Sequence, residues 1–250
     1  MPTSPAYIVT GPATSNRRAL VLDLIEGGLE ADAPVAVYSS PNEPRDEADT
    51  RLEARPNLTR LSWQFTGEGL DWDPLPDGQR AVFLIIDGTA NPVDQLELLA
   101  RWLPRQPLAL ARILAVLHCQ LLAEHPELED WFDALIHFAD VVVLNRREEV
   151  SQKFIRDYQA RFEKACYPAL FEMPKKGRIR NPAAVLEPQA RRISLAFDQL
   201  DPIEDLDLDE DSLPEEPFNL EGKPDPWFAR RENGARVKPL PNIKDFLKEA

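Results

Sequence analysis

The chain has 250 residues, 43% of them hydrophobic, enough for one sizeable core with or without a tail. A formal net charge of -14 counts against nonspecific binding to nucleic acid or anionic membrane, and no apolar run approaches the length that spans a bilayer. Met1-Pro2-Thr3 leads into an apolar run without a signal-peptide pattern, so a cytoplasmic protein is expected; Cys119 and Cys166 lie far apart and read as buried free thiols.

Tyr7-Ile8-Val9 is a short β-branched run that Gly11-Pro12 breaks, and from Asn16 onward Leu20, Leu24 and Ile25 recur at helical spacing until Gly27-Gly28. Strand, tight loop and helix in this order form the frame of a phosphate-binding loop, in which backbone N–H groups at a helix N-terminus cradle phosphates. Set against G-x-x-x-x-G-K-S/T, the segment reads Gly11-Pro12-Ala13-Thr14-Ser15-Asn16-Arg17-Arg18. Gly11 is kept. Asn16 stands for the second glycine, tolerable in a left-handed conformation but with less room beside a phosphate. Arg17 stands for the lysine, a planar fork in place of a compact ammonium. Arg18 replaces the hydroxyl, and a guanidinium repels Mg²⁺, an ion that takes oxygen ligands. The phosphate-loop positions are thus Gly11, Ser15, Asn16, Arg17 and Arg18, and Mg²⁺ is not expected among them.

Residues 34–38 predict a second strand, followed by the loop Ser39-Ser40-Pro41-Asn42-Glu43-Pro44. Residues 45–54 alternate charges with little apolar face and read as a short solvated helix or ordered loop. A third strand is expected over residues 58–65, then a turn-rich excursion over 67–78. Residues 81–87, Ala-Val-Phe-Leu-Ile-Ile-Asp, are apolar on both faces, as in a covered parallel strand, and end in the carboxylate of Asp87. In open α/β sheets that strand end borders the ligand crevice. Further on come a helix over 93–103, a strand over 113–117, a helix over 127–138, a strand over 140–145, a helix over 151–164 and an edge strand over 167–171, where Pro168 disfavours a central position. Such alternation predicts an α/β fold, a mostly parallel sheet between helical layers with right-handed crossovers.

From Asp198 the composition changes: Asp198, Asp201, Glu204, Asp205, Asp207, Asp209, Glu210 and Asp211 arrive with Pro202 and Pro214, too acidic and proline-broken to bury a core. The expected division is a globular domain over residues 1–197, an acidic disordered linker over 198–224, and a short docking segment or tail over 225–250, where Trp227, Phe228, Ile243, Phe246 and Leu247 return.

Three strand ends in order carry a family resemblance: Gly11 to Arg18, then Ile86-Asp87-Gly88-Thr89-Ala90-Asn91-Pro92, then Ala139-Asp140-Val141-Val142-Val143-Leu144-Asn145-Arg146-Arg147-Glu148. Together they resemble the CobW/HypB/UreG family of P-loop GTPases, metal chaperones and maturation factors, over roughly residues 6–172. The resemblance implies a P-loop NTPase-like three-layer fold and GTP or GDP as ligand. Asp87 matches the carboxylate that contacts Mg²⁺ through water, and a salt bridge to Arg17 or Arg18 is its expected structural role. Asn145 matches the guanine-contacting Asn, Arg146 the Lys that packs over the base, and Glu148 an Asp that accepts from guanine. The family's Cys-x-Cys-Cys run is missing, so no metal–thiolate site is expected. The Asn42-Glu43 loop, with Asp46 and Asp49 after it, faintly resembles the switch region without its glycines. His118, His125 and His137 are scattered and read as structural or surface residues.

Three functions stand. The favoured one is a degenerate GTPase-like domain that binds nucleotide or serves as a scaffold with little or no hydrolysis, because losing the ligand of Mg²⁺ removes charge stabilisation that hydrolysis depends on. The second is an active GTPase of metallochaperone type whose Arg17 and Arg18 neutralise the phosphates. The third is a nucleotide-free interaction module that engages a protein partner through the C-terminal segment.

Overall fold

The computed structural model describes residues 3–66, 69–198 and 225–247. Residues 199–224, nearly all of the expected disordered linker, lie outside the described residues. The strands are β1 (Ser4–Thr10), β2 (Val35–Ser39), β3 (Leu58–Thr66), β4 (Gly69–Trp72), β5 (Ala81–Ile85), β6 (Leu108–His118), β7 (Val141–Asn145) and β8 (Leu170–Glu172). The helices are α1 (Arg17–Gly28), α2 (Glu47–Glu53), α3 (Pro92–Trp102), α4 (Cys119–Glu124), α5 (Glu129–Phe138), α6 (Gln152–Lys164) and α7 (Pro182–Leu186).

All eight strands join one sheet in the order β4-β3-β2-β5-β1-β6-β7-β8. Every pairing is parallel except that of β3 with β4. Period-two alternation along the strands divides the core between two faces. Tyr7, Val9, Val37, Phe83 and Ile85 pack with Leu20 and Leu24 of α1, Leu52 of α2 and Val185 of α7. Ala6, Ile8, Tyr38, Val82 and Leu84 pack with Leu96 and Leu99 of α3 and Phe138 of α5. Leu117, Val142 and Leu144 join Trp131, Phe132 and Leu135 of α5 and Ile155 of α6. The result is a three-layer α/β fold with a mostly parallel sheet and β1 near its middle.

Several helix starts follow from local signals. Asn91 accepts from the N–H groups of Val93 and Asp94 with Pro92 at the first turn, Ser151 caps α6 through Phe154 N–H, and Asp46 and Asp49 form a capping box on α2. Helix α1 differs: its N-cap Asn16 makes no side-chain cap and its first turn has no acidic residue. Its position comes from packing. A Cβ on Gly27 would come within 2.8 Å of Pro182, and one on Gly28 within 2.7 Å of Leu186, so the glycine pair lets α7 lie against α1.

Four sequence expectations change. Residues 45–54 hold α2, a short and mostly exposed helix as expected, but fully buried Leu52 and Asp49 anchor one side of it. The excursion after β3 contains β4, whose Trp72 packs on Tyr38 and Trp102. The strand expected at 113–117 begins at Leu108 and runs along β1, while the short helices α4 and α7 fall below the length at which periodicity is visible. Cys119 is buried, its thiol pushed up to about 12 by burial, but Cys166 is exposed at φ 55° after α6.

Residues 225–247 lie on the α3/α5 face. Trp227 and Ile243 are buried, Phe228 stacks on Phe138 with centroids 5.0 Å apart, and Phe246 meets His125 edge-on. Asp225 lies 2.8 Å from His137 Nε2, while Arg236 pairs with Asp94 and Glu97 of α3. No helix among the described residues is long and apolar enough to cross a membrane.

Candidate functional site

The strand order creates a switch point. The chain leaves β1 toward β2 on one side and leaves β5 toward β6 on the other, although β1 and β5 are neighbours. Loops from adjacent parallel strands that part to opposite faces leave a crevice at the carboxyl ends, the usual ligand position in such sheets. Here the crevice lies between the loop before α1 and the loop after β5.

Gly11 has φ 136°, and a Cβ there would meet Val116 O at 2.3 Å, so only glycine fits this turn. A 3-10 turn at Ala13–Ser15 follows, and Asn16 adopts a left-handed conformation, φ 64° and ψ 34°. The loop's own donors are largely committed to protein: Ala13 N–H donates to Gly88 O at 3.1 Å, Ser15 N–H to Pro12 O at 3.0 Å and Ser15 Oγ to Pro12 O at 2.8 Å.

Arg17 and Arg18 point inward. Arg17 donates through Nη2 to both oxygens of Glu43 at 2.7 Å and through Nη1 to Ile86 O. Arg18 Nη2 reaches Glu43 Oε2 at 3.2 Å, and its Nη1 reaches Pro44 O at 2.7 Å and Asp49 Oδ2 at 3.2 Å. Glu43 Oε1 also accepts from Gly88 N–H at 2.5 Å. The carboxylate of Glu43 thus sits where two guanidiniums and a backbone N–H converge, at the positive end of α1. Asp49 continues the network to Arg60 at 2.6 Å.

Asp87 is not paired with either arginine, which corrects the expected salt bridge. Its Oδ1 accepts from Thr89 N–H at 2.8 Å and Thr89 Oγ1 at 2.7 Å, and its Oδ2 from Ser40 Oγ and Asn42 Nδ2, each at 3.2 Å. A short Asp side chain closes readily on the residue two places ahead, which leaves the arginines to the longer Glu43. Burial acts to raise the Asp87 pKa, but the Thr89, Asn42 and Ser40 donors outweigh it and hold the carboxyl below its ordinary range. Gln95 staples the same strand end, accepting from Asp87 N–H at 2.7 Å and donating to Asp87 O at 2.8 Å.

The expected base-recognition residues are turned to the loop. Asn145 Nδ2 donates to Ser15 O at 2.9 Å and Arg146, at φ 51°, donates to Asn16 Oδ1 at 2.8 Å. Glu148 is exposed in the turn after β7. The three blocks of the sequence therefore meet at one sheet edge, with Glu148 at its margin.

Mg²⁺ does not suit this arrangement: Arg18 fills the hydroxyl position, and both oxygens of Asp87 already accept two hydrogen bonds each. Among the described residues, no group of three or more His, Cys, Asp or Glu is placed to hold a metal. His118 Nδ1 instead accepts from Leu121 N–H to cap α4. Glu43, expected only as part of a switch-like loop, is the partner of both arginines. Its signal was the arginine pair itself, which needs a counter-charge if buried.

No protein-family model matches this sequence, and no curated protein does. Among solved structures, the chain is similar to a Zn(II)-bound triple mutant of the YjiA GTPase, at 12% identity over 79% of this chain and 69% of that one, with a TM-score of 0.45. It is also similar to the Zn(II)-bound YjiA GTPase from E. coli, at 11% identity over 76% of this chain and 67% of that one, with a TM-score of 0.42.

Proposed function

We propose that this chain is a degenerate GTPase-like domain, a nucleotide-binding or scaffold protein with little or no hydrolysis. The observation that carries the reading is the Glu43 carboxylate between Arg17, Arg18 and Gly88 N–H. Both cations at the phosphate-loop positions are already neutralised from within, and four of the acceptor sites of Asp87 are taken by protein donors. Phosphoryl transfer depends on positioning and on electrostatic stabilisation of the equatorial oxygens, and a loop whose charges face their own counter-ion supplies neither in this conformation. GTP and GDP are the proposed ligands, through Asn145 and Arg146 once these exchange their contacts with Ser15 and Asn16. An active GTPase of metallochaperone type is the competing reading, and Arg18 weighs against it. A protein partner for the C-terminal segment belongs to the proposal; the burial of Trp227 and Ile243 against the domain means that segment serves its own fold first. The test is phosphate release from GTP by the full chain, with and without Mg²⁺. Turnover that rises with Mg²⁺ would overturn the proposal.

A further inference from the structure

We infer that Glu43 is a tethered competitor in an oxyanion site, and that a phosphate group binds the same donors when Glu43 leaves. The inference rests on the pocket reading above and adds how that pocket is controlled. Glu43 oxygens take hydrogen bonds from Arg17 Nη2, Arg18 Nη2 and Gly88 N–H, yet the Nε atoms of both arginines are buried without a partner. A tetrahedral anion, with more oxygens in three dimensions than a planar carboxylate, offers acceptors to more of these donors. The cradle also needs bare backbone: a Cβ on Gly88 would lie 2.4 Å from Ala13 N and 2.4 Å from Arg17 Nη2. The uncapped N-terminus of α1 adds a favourable dipole for a multiply charged anion.

The loop that brings Glu43 is built to let go. No residue from 40 to 46 belongs to a hydrophobic cluster. Its attachments are polar: Ser40 and Asn42 on Asp87, Glu43 on the arginines and Arg18 on Pro44 O. A segment held by hydrogen bonds and ion pairs, with no apolar anchor, can part from the domain without uncovering core once its polar contacts are exchanged for those of an incoming anion. While it is closed, the carboxylate competes at the high effective concentration of an intramolecular group, so an external anion binds with reduced apparent affinity.

The test is calorimetric titration of the full chain with inorganic phosphate at constant ionic strength, comparing wild type with Glu43→Ala, and chloride as the control anion. The expected result is at least tenfold tighter phosphate binding by Glu43→Ala. Its melting temperature should rise by roughly 3–6 °C at a tenfold excess over Kd, with little change in wild type. GDP in parallel distinguishes a nucleotide's phosphate, which would bind tighter than the free ion, from free phosphate, which would bind equally. Equal phosphate affinity in the two proteins, or none in either, overturns the inference. Should Glu43→Ala not fold, Glu43→Gln keeps the size of the side chain and removes its charge; no gain in phosphate affinity there also overturns it. Efficient GTP hydrolysis by wild type would instead defeat the proposed function and leave the phosphate result standing.

Discussion

The Arg17 guanidinium and the Glu43 carboxylate lie 2.7 Å apart with side chains only 1% and 2% exposed, so each is the other's replacement for water. Removing one member of such a pair strands a buried charge, and Glu43→Ala strands part of Arg18 as well. The expected loss is about 3–5 kcal/mol for either Arg17→Met or Glu43→Ala. The double variant Arg17→Met/Glu43→Ala should lose less than the sum of the two single changes, because both members of the pair are then gone and only Arg18 is left short of a partner. Urea unfolding of the four proteins gives the coupling directly.

Asp87 predicts a pH effect. Its folded pKa lies below the ordinary 3.8, since donors from Thr89, Asn42 and Ser40 overcome the effect of burial. A depressed carboxylate contributes stability that is fully present above the unfolded value and is lost as pH falls through the folded value. Stability should therefore be insensitive to this group between pH 5 and 7, changing by no more than about 0.1 kcal/mol per pH unit, and should decline below about pH 4. Asp87→Asn should flatten that acid limb, as measured by melting temperature against pH, and should loosen the loop that Ser40 and Asn42 hold.

Gly88→Ala tests close approach rather than charge. The added methyl would meet Ala13 N at 2.4 Å and Gly11 O at 2.7 Å, both backbone atoms that cannot turn aside. A loss of about 1–3 kcal/mol is expected, the range of overpacking in tight sites, with the Glu43 contact at Gly88 N–H disturbed. Chemical-shift changes confined to the loops around residues 11–18 and 40–46 would locate the effect.

The C-terminal segment predicts that the domain is not complete at residue 197. Trp227 and Ile243 are 7% and 1% exposed, and Arg236 joins Asp94 and Glu97. Trp227→Ala should cost about 3–5 kcal/mol, as a large-to-small change in a core does. A chain ending at residue 224 should bind a hydrophobic dye where Phe138 and Leu240's neighbours become uncovered, and should unfold at lower urea than the full chain.

Strand pattern and strand ends were legible in the sequence, because residues 81–86 and 141–144 are apolar on both faces and end in polar residues, Asp87 and Asn145, at one sheet edge. The buried side of α2 was not, since the contacts of Asp49 with Arg18 and Arg60 are long-range and its charges look solvated in sequence. The partner of the arginines was missed for a related reason: periodicity reports which face a residue occupies, not which of several carboxylates completes an ion pair. Cys166 was misjudged because a left-handed turn after α6 exposes it, and no local pattern marks that turn.

Under the proposed function this pocket does without Mg²⁺ in phosphate chemistry. The most direct test is calorimetric titration of the full chain with GTP and GDP, each with and without Mg²⁺, followed by measurement of phosphate release. Affinities that Mg²⁺ does not strengthen, and no Mg²⁺-dependent release, are expected. GTP binding tightened by Mg²⁺, with hydrolysis following it, would show that the pocket still works with the ion.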